Sequence, residues 1–254
     1  MGILAGMRIS LVIAAHNEEA GIAACITSIQ KALVAYPSDA EVLVVANACT
    51  DRTATIARGF PNVKVVEESQ KGLSRARAAG FAASTGDLIA NLDADILMSN
   101  MWIPFVMSAF EKDSSLVALS GPYIYYDLSP FHRALVKIFY AAAYSASVAL
   151  YTLFRQGAIL QGGNFVVRRG ALEKIGGFDT SIAFYGEDTD IARRLSRIGK
   201  VWWTFRLPMQ TSGRRLAAEG LIQTGLYYTL NYFSTTFTGK PYTKTHNDIR
   251  IEKR

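Results

Sequence analysis

Cysteine, histidine and charged residues are scarce in this chain of 254 residues. Its two cysteines, Cys25 and Cys49, do not have the spacing of a disulfide framework or of a zinc site. Its three histidines, His16, His132 and His246, are scattered and form no metal-binding motif. Gly-rich phosphate loops of the P-loop and dinucleotide-binding types are missing as well. These absences argue against a disulfide-stabilised secreted protein, a zinc protein and a P-loop enzyme.

The charge balance limits the classes of binding partner that the chain suits. Charged residues are 19% of the chain, whereas hydrophobic residues are 50%. The net charge of +6 suits an anionic partner: a nucleic acid, an acidic lipid or a phosphorylated substrate. A nucleic acid is the least favoured of the three, because the basic residues are dispersed and match no recognition motif. Residues 1–8 are too short to be a signal peptide, so we expect a cytoplasmic protein.

The first third of the chain alternates between strand and helix patterns. Strands are predicted at 9–14, 41–46, 63–66 and 87–92, and helices at about 17–35, 50–58 and 73–84. Asn17 is predicted to be the N-cap of the first helix. Strands separated by helices of this length form right-handed βαβ units and a mostly parallel sheet. Ligands of such sheets bind outside the carboxyl ends of the strands, which here carry 15–17, 47–49, and Asp93 with Asp95.

Two carboxylates follow the fourth predicted strand directly. Asp93 and Asp95 are two positions apart, so on an extended segment their side chains point the same way. Converging acidic oxygens suit a hard divalent cation, which would typically hold a diphosphate. Taken alone, an Asp-x-Asp motif is more often an exposed turn. Its position at the carboxyl ends of the predicted strands, where ligands bind, favours a metal site here.

Four motifs in order resemble the family 2 glycosyltransferases over roughly residues 8–215. They are ISLVIAAHNEE at 9–19, VVANACTDRT at 44–53, KGLSRARAAG at 71–80 and GEDTD at 186–190. The resemblance implies an α/β protein of the GT-A fold, with a Rossmann-like, mostly parallel central sheet flanked by helices and apolar helical additions toward the C-terminus. We expect one domain over 1–254, with a nucleotide-binding half at about 8–98, an acceptor and catalytic half at about 99–215, and an apolar, basic extension at about 216–254.

The resemblance also implies a donor and a cofactor. The donor is a nucleoside-diphosphate sugar, with a UDP-sugar favoured and a GDP-sugar as the alternative, and the cofactor is Mn²⁺ or Mg²⁺ held by Asp93 and chiefly by Asp95. Matching donor contacts are His16, Asn17, Glu18 and Arg77. Two departures from the family pattern are Ala46, where many members have an acid that accepts from the base, and Ala78, where many have Asn. Asn47 is the candidate to replace the missing acid.

Transfer of a sugar needs a base for the acceptor hydroxyl as well as a neutralised leaving group. Asp188 is the predicted base, because it matches the second acid of the family's Glu-Asp pair, and Glu187 is predicted to lie at the acceptor. A single base acting in line would invert the anomeric carbon. The alternative is an ordinary helix start, in which acids complement the helix dipole and Ile191, Leu195 and Ile198 form a buried stripe.

Two glycine-containing turns add further candidates. The resemblance implies that Gly162, Gly163 and Asn164 border the donor sugar and the acceptor. Glycine admits close approach of a ligand, and a carboxamide can bond sugar hydroxyls. A tight turn into a strand at 165–168 is the equal alternative. Arg214 and Arg215 follow Gly213 and could grip a diphosphate by forked hydrogen bonds, although an exposed basic turn fits equally well.

Two long apolar stretches, 134–154 and 221–237, remain. The first is long enough to span a bilayer, and Lys137 is its only charged residue. A spanning helix would put Asp93 and Asp188 on opposite sides, so we expect an amphipathic helix lying in the membrane interface. Tyrosines along that helix suit this position, as does the basic end at 240–254; the tyrosines are Tyr140, Tyr144 and Tyr151. A core helix or a homodimer contact is the alternative.

Together these patterns predict a metal-dependent, inverting glycosyltransferase that is peripheral on the inner face of the cell membrane. Its acceptor would be a lipid, a lipid-linked sugar or a saccharide. The alternatives are a nucleotidyltransferase, which would not need Asp188, and an inactive nucleotide-sugar-binding or membrane scaffold protein.

Overall fold

A seven-stranded sheet forms the centre of the computed structural model, which describes residues 6–154, 157–182 and 184–243. The strands are β1 (Ile9–Ala15), β2 (Ala40–Asn47), β3 (Val63–Glu68), β4 (Leu88–Asp93), β5 (Leu116–Ser120), β6 (Tyr123–Tyr125), β7 (Asn164–Arg168), β8 (Lys200–Trp203) and β9 (Met209–Thr211). The helices are α1 (Ile22–Ala35), α2 (Thr53–Arg58), α3 (Leu73–Ala83), α4 (Trp102–Lys112), α5 (Pro130–Phe154), α6 (Arg169–Lys174), α7 (Glu187–Leu195), α8 (Arg214–Glu219) and α9 (Leu221–Thr238). The order of the sheet is β3-β2-β1-β4-β7-β5-β8, and β6 pairs with β9 beside it.

Strands β1 to β4 are parallel, as the strand and helix pattern predicted. The β-branched and aliphatic side chains of β1, β2 and β4 are buried on both faces, because helices cover both sides of the sheet, whereas the edge strand β3 is partly exposed. Helices α1 and α4 pack on one face, and α3 and α7 pack on the other. The carboxyl ends of β1, β2 and β4 therefore share one rim, and the predicted site segments lie there.

The first helix differs from its prediction. It begins at Ile22 with Gly21 as N-cap, so Asn17 is not the N-cap. Asn17 instead has a left-handed backbone, with φ of 50°, and its side-chain oxygen accepts from the backbone N–H of Thr50, at 2.8 Å. This bond joins the first loop to the loop after β2, which is why residues 16–21 stay outside the helix.

Strand β7 is antiparallel to both of its neighbours, β4 and β5. Its first residue, Asn164, is paired with Leu92 near the end of β4. The antiparallel direction brings the turn before β7 to the same rim as Asp93. Residues that are 70 positions apart in the chain thus become neighbours through the register of a single strand pair, as Asp93 and Gly163 are.

The apolar stretches form α5 in the middle of the chain and α9 near the end of the described part. Helix α5 is long and apolar enough to cross a membrane by length and composition. Gly157 lies between the two helices, because its carbonyl accepts from the Ser147 hydroxyl on α5 and from the Tyr232 hydroxyl on α9, the latter at 2.7 Å. Rings of Phe154 and Phe237 also meet, with centroids 6.2 Å apart. Most of the predicted basic end lies outside the described residues, as does His246.

Candidate active site

A cleft of about 740 Å³ opens at the rim of the sheet. Its polar end is lined by residues predicted for the donor, the metal and the base: Glu18, Arg77, Asp93, Asp95, Gly162, Gly163, Glu187, Asp188, Arg214 and Arg215. Its other end lies between α5 and α9 and is lined by apolar side chains. The structure thus brings most of the sequence-predicted residues into one cleft, although they come from six segments.

Asp95 faces a positive charge at the polar end. Its Oδ2 accepts from Nη2 of Arg214 at 2.9 Å, and its Oδ1 accepts from the Thr211 hydroxyl at 2.9 Å. The same Arg214 nitrogen donates to both oxygens of Glu18, which is only 3% exposed. Burial raises the pKa of Asp95, as do the nearby charges of Asp93 and Glu18, whereas Arg214 opposes this rise.

Asp93 is held from within the protein. Its Oδ2 accepts from the Tyr123 hydroxyl at 2.7 Å, and its Oδ1 lies 3.6 Å from Nη2 of Arg77. Burial raises the pKa of Tyr123 well above its usual value, so this hydroxyl is a neutral donor. The two carboxylates of the motif therefore have different surroundings: Asp95 meets Arg214 and Thr211, and Asp93 meets the floor of the cleft.

Arg77 forms that floor. Its guanidinium donates to the carbonyl of Gly162 and pairs with the carboxylate of Glu187. Both charged side chains are buried, at 1% and 5% exposure. The prediction placed Arg77 near the donor and Glu187 near the acceptor, whereas the structure shows them joined to each other.

Asp188 lies in the first turn of α7, beside the Arg77–Glu187 pair. Its Oδ1 accepts from the backbone N–H of Thr189 at 2.8 Å. Burial raises its pKa, and the positive charge of Arg77 opposes this rise. Asp190, in the same motif, binds Arg193 and Arg194 at 3.1 and 2.7 Å, as expected for an acid that stabilises its own helix.

The first loop and the β2 end surround a smaller cavity of about 50 Å³, lined by His16, Asn47, Gly72 and Phe184 among others. Nδ1 of His16 donates to the carbonyl of Asn47 at 2.7 Å. The carboxamide of Asn47 donates to the carbonyls of Glu68 and Gln70, and its oxygen accepts from the N–H of Gly72. Asn47 thus holds three loops together, and its acceptor oxygen is already bonded within the fold.

The turn before β7 divides into two parts. A Cβ on Gly163 would overlap the Asp93 carboxyl and the Tyr123 hydroxyl, and a Cβ on Gly162 would lie 3.6 Å from Asp188 Oδ2. Asn164 is fully buried behind the cleft. Its carboxamide accepts from the indole N–H of Trp102 and donates to the carbonyls of residues 121 and 207, so it is a structural residue of the strand junction.

Sequence reasoning missed several side chains that shape the cleft. Tyr123 and Thr211 bind the two motif carboxylates, and the Tyr140 hydroxyl, whose pKa burial raises to about 12, donates to Gln161 at 2.9 Å. The tyrosine-rich run at 123–126 was the available signal. Arg215 was predicted to bind the diphosphate together with Arg214. It pairs instead with Glu219 on the same helix, at 2.9 Å, and its guanidinium lies over the ring of Phe184 at the edge of the cleft. Its side chain is more enclosed than that of Arg214.

Comparison with curated proteins gives consistent matches. Residues 10–176 match the family model described as Glycosyl transferase family 2. The chain is 28% identical over 237 residues to the probable glycosyltransferase YdaM of Bacillus subtilis, covering 78% of this chain and 53% of that protein. It is 30% identical over 138 residues to the dolichol-phosphate mannosyltransferase of Pyrococcus furiosus, covering 52% of this chain and 38% of that protein. The chain spans about half the length of the first of these relatives and less of the second.

Solved structures show the same fold at low identity. A mannosyltransferase from Pyrobaculum calidifontis in complex with GDP-Man and Mn²⁺ matches with a TM-score of 0.59 at 20% identity, covering 85% of this chain and 62% of that one. Glucosyl-3-phosphoglycerate synthase from Mycobacterium tuberculosis, with Mn²⁺, UDP-glucose and phosphoglyceric acid, matches with a TM-score of 0.60 at 22% identity, covering 91% and 80%. These likenesses confirm the architecture expected from the sequence.

Proposed function

Because this chain belongs to glycosyl transferase family 2, we propose that it moves a sugar from a nucleoside-diphosphate donor to an acceptor in the cleft. One observation carries the proposal: the metal-motif carboxylate Asp95 and the carboxylate Asp188 line the same cleft. Leaving-group stabilisation and base catalysis need charged groups at two places around one sugar, and this cleft offers both.

The polar end fits a divalent cation. Oxygens of Asp95 and Glu18 lie 2.8 to 2.9 Å from one positively charged nitrogen of Arg214, so the site already accommodates a cation between carboxylates. Oxygen donors suit Mg²⁺ and Mn²⁺. Asp95 would hold the ion, with Asp93 behind it. In the part of the chain that the structure describes, no set of three or more His, Cys, Asp or Glu residues surrounds one point, so diphosphate oxygens would complete the coordination.

The charge at this end serves the leaving group. A bound Mn²⁺ or Mg²⁺ supplies positive charge against the diphosphate. Arg214 is 44% exposed on its side chain and can move from the carboxylates to the diphosphate, where its fork matches phosphate oxygens. His16, Asn17 and the small cavity beside them take the nucleoside.

Asp188 is the proposed base. It lies on the wall of the cleft where Gly162 leaves room for an acceptor, and its raised pKa makes it a stronger base than an ordinary aspartate. Asp188 takes the proton of the acceptor hydroxyl as that oxygen bonds to the anomeric carbon and the bond from this carbon to the diphosphate breaks, which releases the nucleoside diphosphate. One base acting from the side opposite the diphosphate gives inversion.

The acceptor is proposed to be a lipid or a lipid-linked sugar. From Asp188 the cleft continues between α5 and α9, and the facing side chains there are apolar; they include Leu135, Phe139, Ile222 and Phe233. Gly225 on α9 lies against α5, since a Cβ at this position would lie 3.8 Å from the ring of Phe139. The name of the Pyrococcus furiosus relative, a dolichol-phosphate mannosyltransferase, supports an acceptor of this class.

Helix α5 is proposed to lie in the membrane interface. It carries large exposed apolar side chains, among them Phe131, Ile138 and Leu153, which form its outward face. Tyr140 and Tyr144, expected on the membrane side, instead pack against the ring of Trp203 with centroids 5.9 and 5.5 Å away. The tyrosines thus anchor α5 to the domain, and the aliphatic and phenyl side chains are left for the lipid.

The test begins with donor binding. Thermal shifts are measured with UDP, GDP, CMP and dTDP sugars, with and without Mn²⁺, and a metal-dependent rise in Tm for one base identifies the donor. That donor is then incubated with polyprenyl-linked sugars and soluble sugars, whose hydroxyls need a base, and with short polyprenyl phosphates, whose phosphate oxygen is already ionised at neutral pH. Release of nucleoside diphosphate and a product of inverted anomeric configuration by NMR support the proposal. Release of pyrophosphate would assign a nucleotidyltransferase, and a retained configuration would rule out the single base.

A further inference from the structure

Arg77 contacts three separate segments of the site, whereas its sequence motif predicted only contact with the donor. Its guanidinium bonds the Gly162 carbonyl, pairs with Glu187, and lies 3.6 Å from Asp93. Its Cζ lies 5.2 Å from the centre of the Phe165 ring, which restricts its orientation. One side chain on α3 thus joins the end of β4, the turn before β7 and the first turn of α7.

These contacts differ from those of a donor-binding arginine. The partners of Arg77 come from the floor and far wall of the cleft, whereas the small cavity at the first loop is lined by His16, Asn47 and Gly72. A buried guanidinium needs carboxylate partners, because an uncompensated buried charge is strongly unfavourable. Glu187 meets that need, and it immediately precedes Asp188 in the chain.

We propose that Arg77 is a positioning residue that fixes the Asp188 carboxylate relative to the Asp93–Asp95 motif by holding Glu187 and the Gly162 carbonyl. This inference rests on the proposed role of Asp188. The charge of Arg77 also favours the ionised form of Asp188 against the effect of burial. Arg77 therefore acts on transfer through another residue and does not touch the donor.

The test compares Arg77→Met, Arg77→Lys and Glu187→Gln in steady-state transfer and in nucleotide binding with Mn²⁺. Arg77→Met is expected to keep the donor KM and to lose kcat by about 10²-fold, the cost of misplacing a catalytic group by about 1 Å. Arg77→Lys keeps the charge without the fork, so it should recover part of kcat. Arg77→Met/Glu187→Gln should lose no more than Arg77→Met alone, because the two side chains act as one unit.

Arg168→Met is the matched control. Arg168 also lies over a phenylalanine ring, at 5.0 Å from Phe110, and bonds the carbonyls of Leu116 and Phe110, but it is outside the cleft. The Arg168→Met variant should have a lower Tm and an unchanged kcat. It therefore separates the effect of lost packing from the effect of lost positioning. The parent enzyme is assayed first, and a parent without transfer contradicts the proposed function itself.

Three results would overturn the inference in a parent that does transfer. The first is a kcat of Arg77→Met equal to that of Arg168→Met. The second is a raised donor KM with unchanged kcat, which would make Arg77 a donor contact. The third applies if Arg77→Met fails to fold: it is a kcat equal to that of the parent in both Arg77→Lys and Glu187→Gln.

Discussion

Nη2 of Arg214 lies 2.9 Å from Oδ2 of Asp95, and the same nitrogen lies 2.9 and 2.8 Å from the two oxygens of Glu18. Arg214 follows β9 in the chain, whereas Asp95 follows β4, so the contact depends on tertiary structure alone. A cationic side chain and a divalent ion would compete for the same oxygens. We therefore expect metal binding to depend on the position of this arginine.

Asp95→Ala should abolish the metal-dependent part of the stabilisation by nucleoside diphosphate, because the ion loses its principal protein ligand. The measurement is the change in Tm on adding nucleotide with and without Mn²⁺. Arg214→Met is the companion variant: Mn²⁺ alone should raise its Tm more than it raises that of the parent, since both carboxylates are released. An Asp95→Ala protein that gains as much as the parent from nucleotide and Mn²⁺ would move the metal site elsewhere.

Asp188→Asn should keep nucleotide binding and lower turnover by roughly 10²–10⁴-fold, the range for loss of a general base. The variant should be at least as stable as the parent at neutral pH, because burial disfavours the ionised carboxylate that it removes. Asp190→Asn is the control in the same motif. It breaks two ion pairs with Arg193 and Arg194 and should lower Tm more than it lowers kcat. The reverse order of effects would exchange the two roles.

The pH dependence of transfer should show the raised pKa of Asp188. A base must be ionised, so kcat/KM falls as pH falls through its folded-state pKa, and this acidic limb should lie above the ordinary value of 3.8. Burial raises the pKa of Asp188, and the positive charge of Arg77 opposes this rise. A kcat/KM profile measured at saturating metal gives the limb. A limb at or below 3.8 would contradict the buried base.

Gly163→Ala should impair the site, because its Cβ would overlap the Asp93 carboxyl and the Tyr123 hydroxyl. We expect Mn²⁺-dependent nucleotide binding to weaken as the motif is displaced. Gly170→Ala tests the general effect of the same substitution, since no atom lies within 4 Å of its Cβ at the start of α6. That variant should gain about 0.5–1 kcal/mol of stability. Equal behaviour of the two variants would show that the turn before β7 yields easily.

Membrane binding should depend on the outward face of α5. Phe131, Ile138 and Leu153 are 68%, 65% and 72% exposed, so their replacement by Glu costs no core packing. The triple variant should remain in the supernatant when the parent sediments with vesicles containing acidic lipid, because apolar contact contributes about 25 cal/mol per Å². Val34→Glu is the control, as Val34 is 81% exposed on α1. A parent that ignores vesicles would assign α5 to a protein contact.

The sequence predicted the parallel strands β1 to β4 and their rim well, because both depend on local patterns, whereas β5 and β8 were not predicted. Apolar runs gave β1 to β4, and the parallel order followed from the helices between them. The partners of Arg77 and Asn164 could not be predicted in this way. Both side chains meet residues more than 40 positions away, and their contacts depend on the antiparallel insertion of β7. From its residue type Asn164 was predicted to bind sugar, whereas the structure shows that it is buried and bonded within the core.

The same difficulty applies to the tyrosines of α5. An amphipathic tyrosine suits a membrane interface and a protein interior equally, because it has an apolar ring and a polar tip. Tyr140 uses both ends inside the domain, against Trp203 and Gln161. The side of a long apolar helix that faces the protein is set by Trp203 on β8, which is remote in the chain. Composition predicted the helix, and only tertiary structure gave its orientation.

The antiparallel strand β7 has a further consequence for the segment that precedes it. Between β6 and β7 the chain makes one long excursion, and its two ends meet because Tyr123 and Gly163 both border Asp93. Helix α5 lies wholly within this excursion. A segment whose two ends are fixed beside each other can be exchanged for one of another length without altering the order of the strands. In the proposed function the acceptor lies along α5, so exchange of this segment is expected to alter acceptor choice while the donor end of the cleft stays in place.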